Sequence, residues 1–132
     1  LFSGQCKAAD VPQIWNEKYE SYLGVKVPDD AHGALQDTHW ADGLFGYFPT
    51  YALGGAFGAQ LRHQMIAEGM DWDATLASGD LSPIREWLRS RIWHYGRSLD
   101  APELMEKACG EPFSPSYYTE YLTQKFSALY NL

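Results

Sequence analysis

Only two cysteines occur in the sequence, Cys6 and Cys109, and neither sits at metal-binding or redox spacing. Isolated thiols of this kind are expected to behave as small buried hydrophobes. None of the four histidines, His32, His39, His63 and His94, stands four residues from another, so the paired-ligand helix H-E-x-x-H is absent. The nucleophile elbow G-x-S-x-G is missing as well. The glycines of "GGAFGAQ" follow no strand and precede no lysine, which disfavours a phosphate loop. On motifs alone the chain holds no complete active site and no metal set of its own.

Other absences bound the setting. No apolar run approaches the roughly 20 residues that span a bilayer, and no charged-then-apolar leader opens the chain. The expectation is a cytoplasmic protein without membrane contact. Positive charge is scarce: 10 Lys and Arg against 17 Asp and Glu leave a formal net charge of −7. A phosphate backbone would be repelled at long range, so nucleic acid is an unsuitable partner. Arg85, Arg89, Arg91 and Arg97 do cluster, but at helical spacing among Trp and Ile, and are read as a solvated helix face. An initiator methionine is also lacking, and the expectation is a piece of a longer chain.

What is abundant is aromatic: 15% of the 132 residues, with five Trp and nine Tyr. Polar-tipped aromatics suit a wet cleft or a broad packed interface. The length suits one domain, residues 1–132, with a single core.

Helix signals dominate. Asp10 heads a D-x-x-Q capping-box spacing with Gln13, and Gly24 ends the helix after Trp15, Tyr19, Tyr22 and Leu23. A short helix is predicted near Asp29 or Asp30. Pro49 and Thr50 open a long helix that Gly69 closes, with Leu53, Phe57, Leu61 and Met65 as an apolar stripe. Gly54, Gly55 and Gly58 within it each cost about 0.5–1 kcal/mol against alanine, tolerable where another backbone approaches closely. That helix is therefore predicted to be buried and tightly packed. A short helix from about Asp71 to Ala77 comes next. Ser82-Pro83 reads as N-cap and first helical residue of a helix reaching Gly96. Asp100 and Glu103 repeat the capping-box spacing before Leu104, Met105 and Ala108, with Gly110 as the stop. Ser114-Pro115 opens a last helix whose buried face is Tyr118, Tyr121, Leu122, Phe126 and Leu129. No strand pattern of comparable length competes, so the fold class is all-α, with five to seven helices.

One stretch stands apart. Gly33–Tyr51, "GALQDTHWADGLFGYFPTY", packs two carboxylates, a histidine, a tryptophan and two tyrosines among three glycines. Read plainly, it is a loop fixing two helices, with Trp40, Phe45 and Phe48 as core. Read sharply, it is a wall of a substrate cleft, with His39 and tyrosine hydroxyls as donors to charge developing on a carbonyl oxygen. Asp37-Thr-His39 alone is too common a triplet to mark a metal site.

The octapeptide "GALQDTHW" fits the pattern G-x-x-Q-D-x-H-W, through Gly33, Gln36, Asp37, His39 and Trp40. In this the sequence resembles the carboxypeptidase Taq family of metal-dependent carboxypeptidases. "GLFGYFPTYALG" is similar to the family's next segment, and "VPQIWNEKYESYLGV" and the ending "YLTQKFSALYNL" agree in kind. The departure "THWADG" leaves Ala41 and Asp42 as turn residues only.

The resemblance implies an all-helical, deep-cleft enzyme of roughly 500 residues, far longer than one domain, usually a homodimer. This chain would be its C-terminal portion. The H-E-x-x-H helix, the third ligand and the arginine segment I-R-x-x-A-D that reads the substrate carboxylate would precede Leu1. The implied reaction removes C-terminal amino acids from peptides by attack of water activated by a divalent cation, Zn²⁺ or Co²⁺, with a glutamate taking the proton. By resemblance to the wider group of helical H-E-x-x-H peptidases, His39 and Tyr51 are the expected donors, with Tyr47 as the reserve. Asp37 either holds the His39 tautomer through its second ring nitrogen or caps the turn. Gln36 and Trp40 are assigned to packing and loop orientation at the substrate side. The isolated piece is expected to bind no metal, to be inactive, and to self-associate through the apolar surface it exposes. The rival reading is a non-catalytic helical module that binds a peptide or protein.

Overall fold

A computed structural model describes residues 1–132. It contains six α-helices, joined in part by single 3-10 turns, and no strand: α1 (Val11–Leu23), α2 (Pro49–Ala67), α3 (Trp72–Ser78), α4 (Ser82–Arg91), α5 (Ala101–Cys109) and α6 (Ser116–Tyr130). The all-α expectation is met. No helix is long and apolar enough to cross a membrane. The chain forms two compact units, Leu1–Phe48 and Pro49–Leu132.

In the first unit a 3-10 turn at Ala8–Asp10 runs directly into α1. The expected capping box does not form. The Asp10 carboxylate accepts the Lys7 N–H at 2.8 Å, capping the 3-10 turn, and Gln13 donates instead to Glu17 at 2.8 Å. An extra turn in front of the helix has taken the carboxylate away from α1's own amides. Gly24 ends α1 as expected, in the left-handed conformation (φ 67°), its N–H on the Glu20 carbonyl.

Three 3-10 turns follow: Asp30–His32, Ala34–Gln36 and Thr38–Asp42. Side chains stabilise them in place of helix length. Asp29 accepts the His32 N–H at 2.9 Å, and the Gln36 amide donates to the Ala31 carbonyl. Gly33 is buried at the join, where an added Cβ would lie 2.7 Å from Val27 Cγ1 and 3.1 Å from the Asp29 carbonyl oxygen. Only glycine fits that approach.

In the second unit Met105, Ala108 and Cys109 of α5 form the core, packed by Phe57, Leu61, Trp87, Ile92 and Phe113. The capping box at Asp100 and Glu103 is present, with Glu103 N–H on Asp100 Oδ1 at 3.0 Å. Asp71 caps α3 through the Ala74 N–H. α4 starts differently from the expectation: Ser82 is its first residue, its N–H held by Asp80 Oδ1 at 2.9 Å. It also stops at Arg91, with a 3-10 turn carrying the chain to Gly96. Arg89 pairs with Glu86 at 2.9 Å and Arg91 with Glu68 at 3.0 Å, consistent with a solvated charged face.

Two burial expectations are corrected. In α2 the buried residues are Ala56, Gln60 and Met65, whereas Leu53 is 45% exposed. Of the three interior glycines only Gly55 meets a neighbour closely, the Tyr118 ring 3.3 Å from an added Cβ; Gly54 and Gly58 face open space. Phe57 and Leu61 of the stripe pack on the α5 core and Met65 is buried, so the stripe is covered except at Leu53. In α6 itself Tyr118, Tyr121 and Leu122 are half-buried, but Leu129 is 62% exposed, and Phe126 stacks on Tyr130 along the helix's own surface. Gln60, 1% exposed, ties α2 to the segment before α6 by donating to the Pro112 carbonyl and accepting the Ser114 N–H.

Candidate functional site

Within the first unit, the 3-10 turn Thr38–Asp42 places His39 directly beside Asp37. Asp37 is buried, its side chain 6% exposed, and one oxygen of it serves two groups. Oδ1 accepts the His39 main-chain N–H at 3.2 Å and lies 2.7 Å from His39 Nδ1. One carboxylate oxygen thus touches both the turn's main chain and the imidazole. With Nδ1–H engaged on the carboxylate, Nε2 of a neutral ring is an acceptor. It donates only from the doubly protonated ring, whose charge Asp37 then balances.

The aromatic residues around this pair form a half-open shell. The Tyr47 ring centroid lies 4.8 Å from that of His39, and the Phe48 ring meets it edge-on at 5.3 Å. Trp40 contacts the Trp15 ring of α1 edge-on at 6.1 Å and stacks toward Phe45 at 6.5 Å. Gln36 holds the preceding turn through Ala31. Phe45 and Phe48, core residues on the plain reading, are each half-exposed. Neither is buried in a core.

Tyr51 belongs to the second unit, on the first turn of α2, and is 63% exposed. Asp37, His39, Trp40, Gln36 and Tyr47 are thus gathered in one unit, and Tyr51 is carried by the other. The contribution of Phe48 was not evident from sequence, where a phenylalanine beside Tyr47 reads as packing. His32, His63 and His94 lie elsewhere: His32 on Asp29 at 2.7 Å, His63 against Tyr117, His94 against Tyr95.

No group of three or more His, Cys, Asp or Glu side chains is placed to hold a metal ion. The residues of this chain do not fit the divalent cation that the family implies. What they can do is present an oriented imidazole flanked by a phenol and a phenyl face.

Similarity to known proteins, rather than the site alone, places the chain by class among the metallopeptidases. The chain belongs to the carboxypeptidase Taq (M32) metallopeptidase family, whose model matches residues 1–126. It is 41% identical over 132 residues to carboxypeptidase 1 of Bacillus subtilis (strain 168), covering 100% of this chain and 26% of that one. It is 41% identical over 130 residues to thermostable carboxypeptidase 1 of Thermus thermophilus, covering 98% and 26%. Among solved structures, the M32 carboxypeptidase from Deinococcus radiodurans R1 superposes with a TM-score of 0.89 at 34% identity, over 98% of this chain and 26% of that one. Trypanosoma cruzi metallocarboxypeptidase 1 superposes with a TM-score of 0.86 at 41% identity, over 92% and 25%. The chain therefore spans about a quarter of the length of the relatives it matches.

Proposed function

We propose that this chain is the C-terminal portion of a metal-dependent carboxypeptidase that removes C-terminal amino acids from peptides. The observation that carries this reading is the family match along residues 1–126, together with coverage of only a quarter of the relatives. The 132 residues act as one helical domain of the longer enzyme and supply part of its cleft wall. The metal, Zn²⁺ or Co²⁺, is held by the remainder of the parent chain, and the isolated chain is inactive. The working enzyme is a cytoplasmic homo-oligomer. The two free thiols support a reducing compartment. Exposed apolar side chains such as Leu23, Tyr22 and Leu129 support burial against other polypeptide.

In this reading His39 and Tyr51 donate to negative charge developing on the scissile carbonyl, with Tyr47 as the alternative phenol. Asp37 fixes the ring heading and balances its charge. Gln36 and Trp40 hold the turn. Removing one donor of this kind costs about 10²–10³ in rate.

The test uses the full-length enzyme with a blocked dipeptide substrate. Tyr51→Phe should lower kcat by that factor with little change in KM or in unfolding midpoint, and Tyr47→Phe should do much less. His39→Gln should match Tyr51→Phe. An unchanged kcat in both Tyr51→Phe and His39→Gln removes the donor assignment. Peptidase activity in the isolated chain with added Co²⁺ overturns the division of labour.

A further inference from the structure

The second unit contains a groove that plays no part in the proposed catalysis. It has a volume of about 590 Å³ and lies between α2, α3 and α6. That volume falls within the range typical of ligand sites. One wall is cationic. The Arg62 guanidinium carbon sits 5.3 Å from the Trp72 ring centroid and 5.6 Å from that of Tyr121. Lys125 reaches over the same tyrosine, its Nζ 5.7 Å from the ring centroid and 3.5 Å from the hydroxyl.

Neither cation pairs with a carboxylate of this chain. This is notable in a chain with seven more acidic than basic side chains. A guanidinium resting near two rings without a carboxylate partner offers a planar fork of N–H donors that matches a carboxylate. The floor is small: Gly55, Gly58 and Ala59 line it, and nothing lies within 4 Å of a Cβ built on Gly58. A ligand's main chain can therefore approach the α2 backbone. Asp73 lines the α3 side and gives the groove a polarity along its length.

We propose that this groove recognises an acidic peptide segment, with a Glu or Asp side chain bidentate on Arg62 and Lys125 as the second cation. The chemistry favours this occupant. A polyanion would be repelled by the net charge of −7, whereas a single carboxylate on an apolar stem uses both the fork and the small-residue floor. Asp73 favours a neutral or basic residue at the α3 end of the segment. This assignment is independent of the catalytic reading, because its readout is binding.

The experiment titrates the 132-residue chain with the blocked peptide acetyl-Ala-Ala-Glu-Ala-Ala-amide, followed by NMR at the Trp72 indole N–H and the Arg62 side-chain N–H. A saturable shift at both signals is expected, and the Gln counterpart peptide should bind about tenfold more weakly, as should the Arg62→Gln variant. Arg62→Lys keeps the charge and loses the fork. It should show a partial loss, and it carries the test if Arg62→Gln does not fold. The proposal is overturned by no shift at Trp72, by equal affinity for the Glu and Gln peptides, or by Arg62→Lys binding as tightly as the parent. A concentration-dependent dimer that Arg62→Gln abolishes would make a second copy the occupant, which also overturns it.

Discussion

Replacing Gln60 by methionine removes the one buried side chain that satisfies both a main-chain donor and a main-chain acceptor in the second unit. Its amide donates to the Pro112 carbonyl at 3.0 Å and accepts the Ser114 N–H at 2.9 Å; a longer contact of 3.5 Å reaches Glu111. Two neutral hydrogen bonds contribute about 0.5–1.5 kcal/mol each, and each main-chain group left desolvated without a partner costs about 1–3 kcal/mol. Of the residues carrying those groups Ser114 is half-buried and Pro112 exposed, so water can reach part of the segment, and the lower end of each range applies. The sum is about 2–4 kcal/mol, a large share of the roughly 5–15 kcal/mol that holds a domain together. Urea unfolding followed by far-UV circular dichroism should show the midpoint falling with the slope unchanged. Gln60→Glu keeps the acceptor, loses the donor and adds a charge beside Glu111. It should be at least as destabilising at neutral pH and should recover as the introduced carboxyl protonates on acidification. A loss below about 1 kcal/mol for the methionine variant would refute the view that this amide pins the segment, since one hydrogen bond alone is worth that much.

Gly33→Ala should cost about 1–3 kcal/mol through forced displacement around Val27 and the Asp29 carbonyl. It should also move the His39 ring signals in an NMR spectrum; unmoved signals would show that the join does not set the turn. Burial pushes the Cys109 thiol up to about 11, so its alkylation in the folded chain should be far slower than that of Cys6 at pH 8. Because that value is raised, the corresponding stability is full below about pH 9 and declines as pH climbs toward 11, which alkaline denaturation curves can check. Hydrogen bonds from Gln64 and Trp87, with the Arg91 charge nearby, hold the Glu68 carboxyl below its ordinary value. Stability from Glu68 is therefore present above about pH 4.5 and lost as pH falls through the lowered value. Trp87→Phe, which deletes the 2.7 Å indole bond, should shift that loss to higher pH in acid unfolding curves.

Helix ends were the most legible part of the sequence, because a cap is local chemistry. Gly24 and Gly110 end helices in the left-handed conformation, and Asp100 with Glu103 forms its box where the spacing predicts. Where two local solutions compete, spacing alone does not decide. Asp10 heads a valid D-x-x-Q pattern, yet its carboxylate bonds the Lys7 amide, one turn earlier. The 3-10 turns between Asp30 and Asp42 were legible only as one short helix near Asp29 or Asp30, since three-residue turns carry no hydrophobic period. Periodicity also names an apolar face without naming what covers it. Leu53 and Leu129 lie on such faces and are exposed in this chain. For the candidate site, the Asp37–His39 adjacency was readable from two-residue spacing. The flanking of the imidazole by both Tyr47 and Phe48 depends on how the chain bends at Gly43 and Gly46, two left-handed positions whose geometry no side-chain pattern announces.

The shared oxygen of Asp37 has a mechanical consequence. Because Oδ1 holds both the amide and the ring of His39, main-chain position and imidazole heading are coupled through one atom. Any rotation of the carboxylate swings the ring and loosens the turn in the same stroke. The imidazole is thus steered like a rudder on a tiller, and a change at Asp37 that re-aims the ring also disturbs the turn.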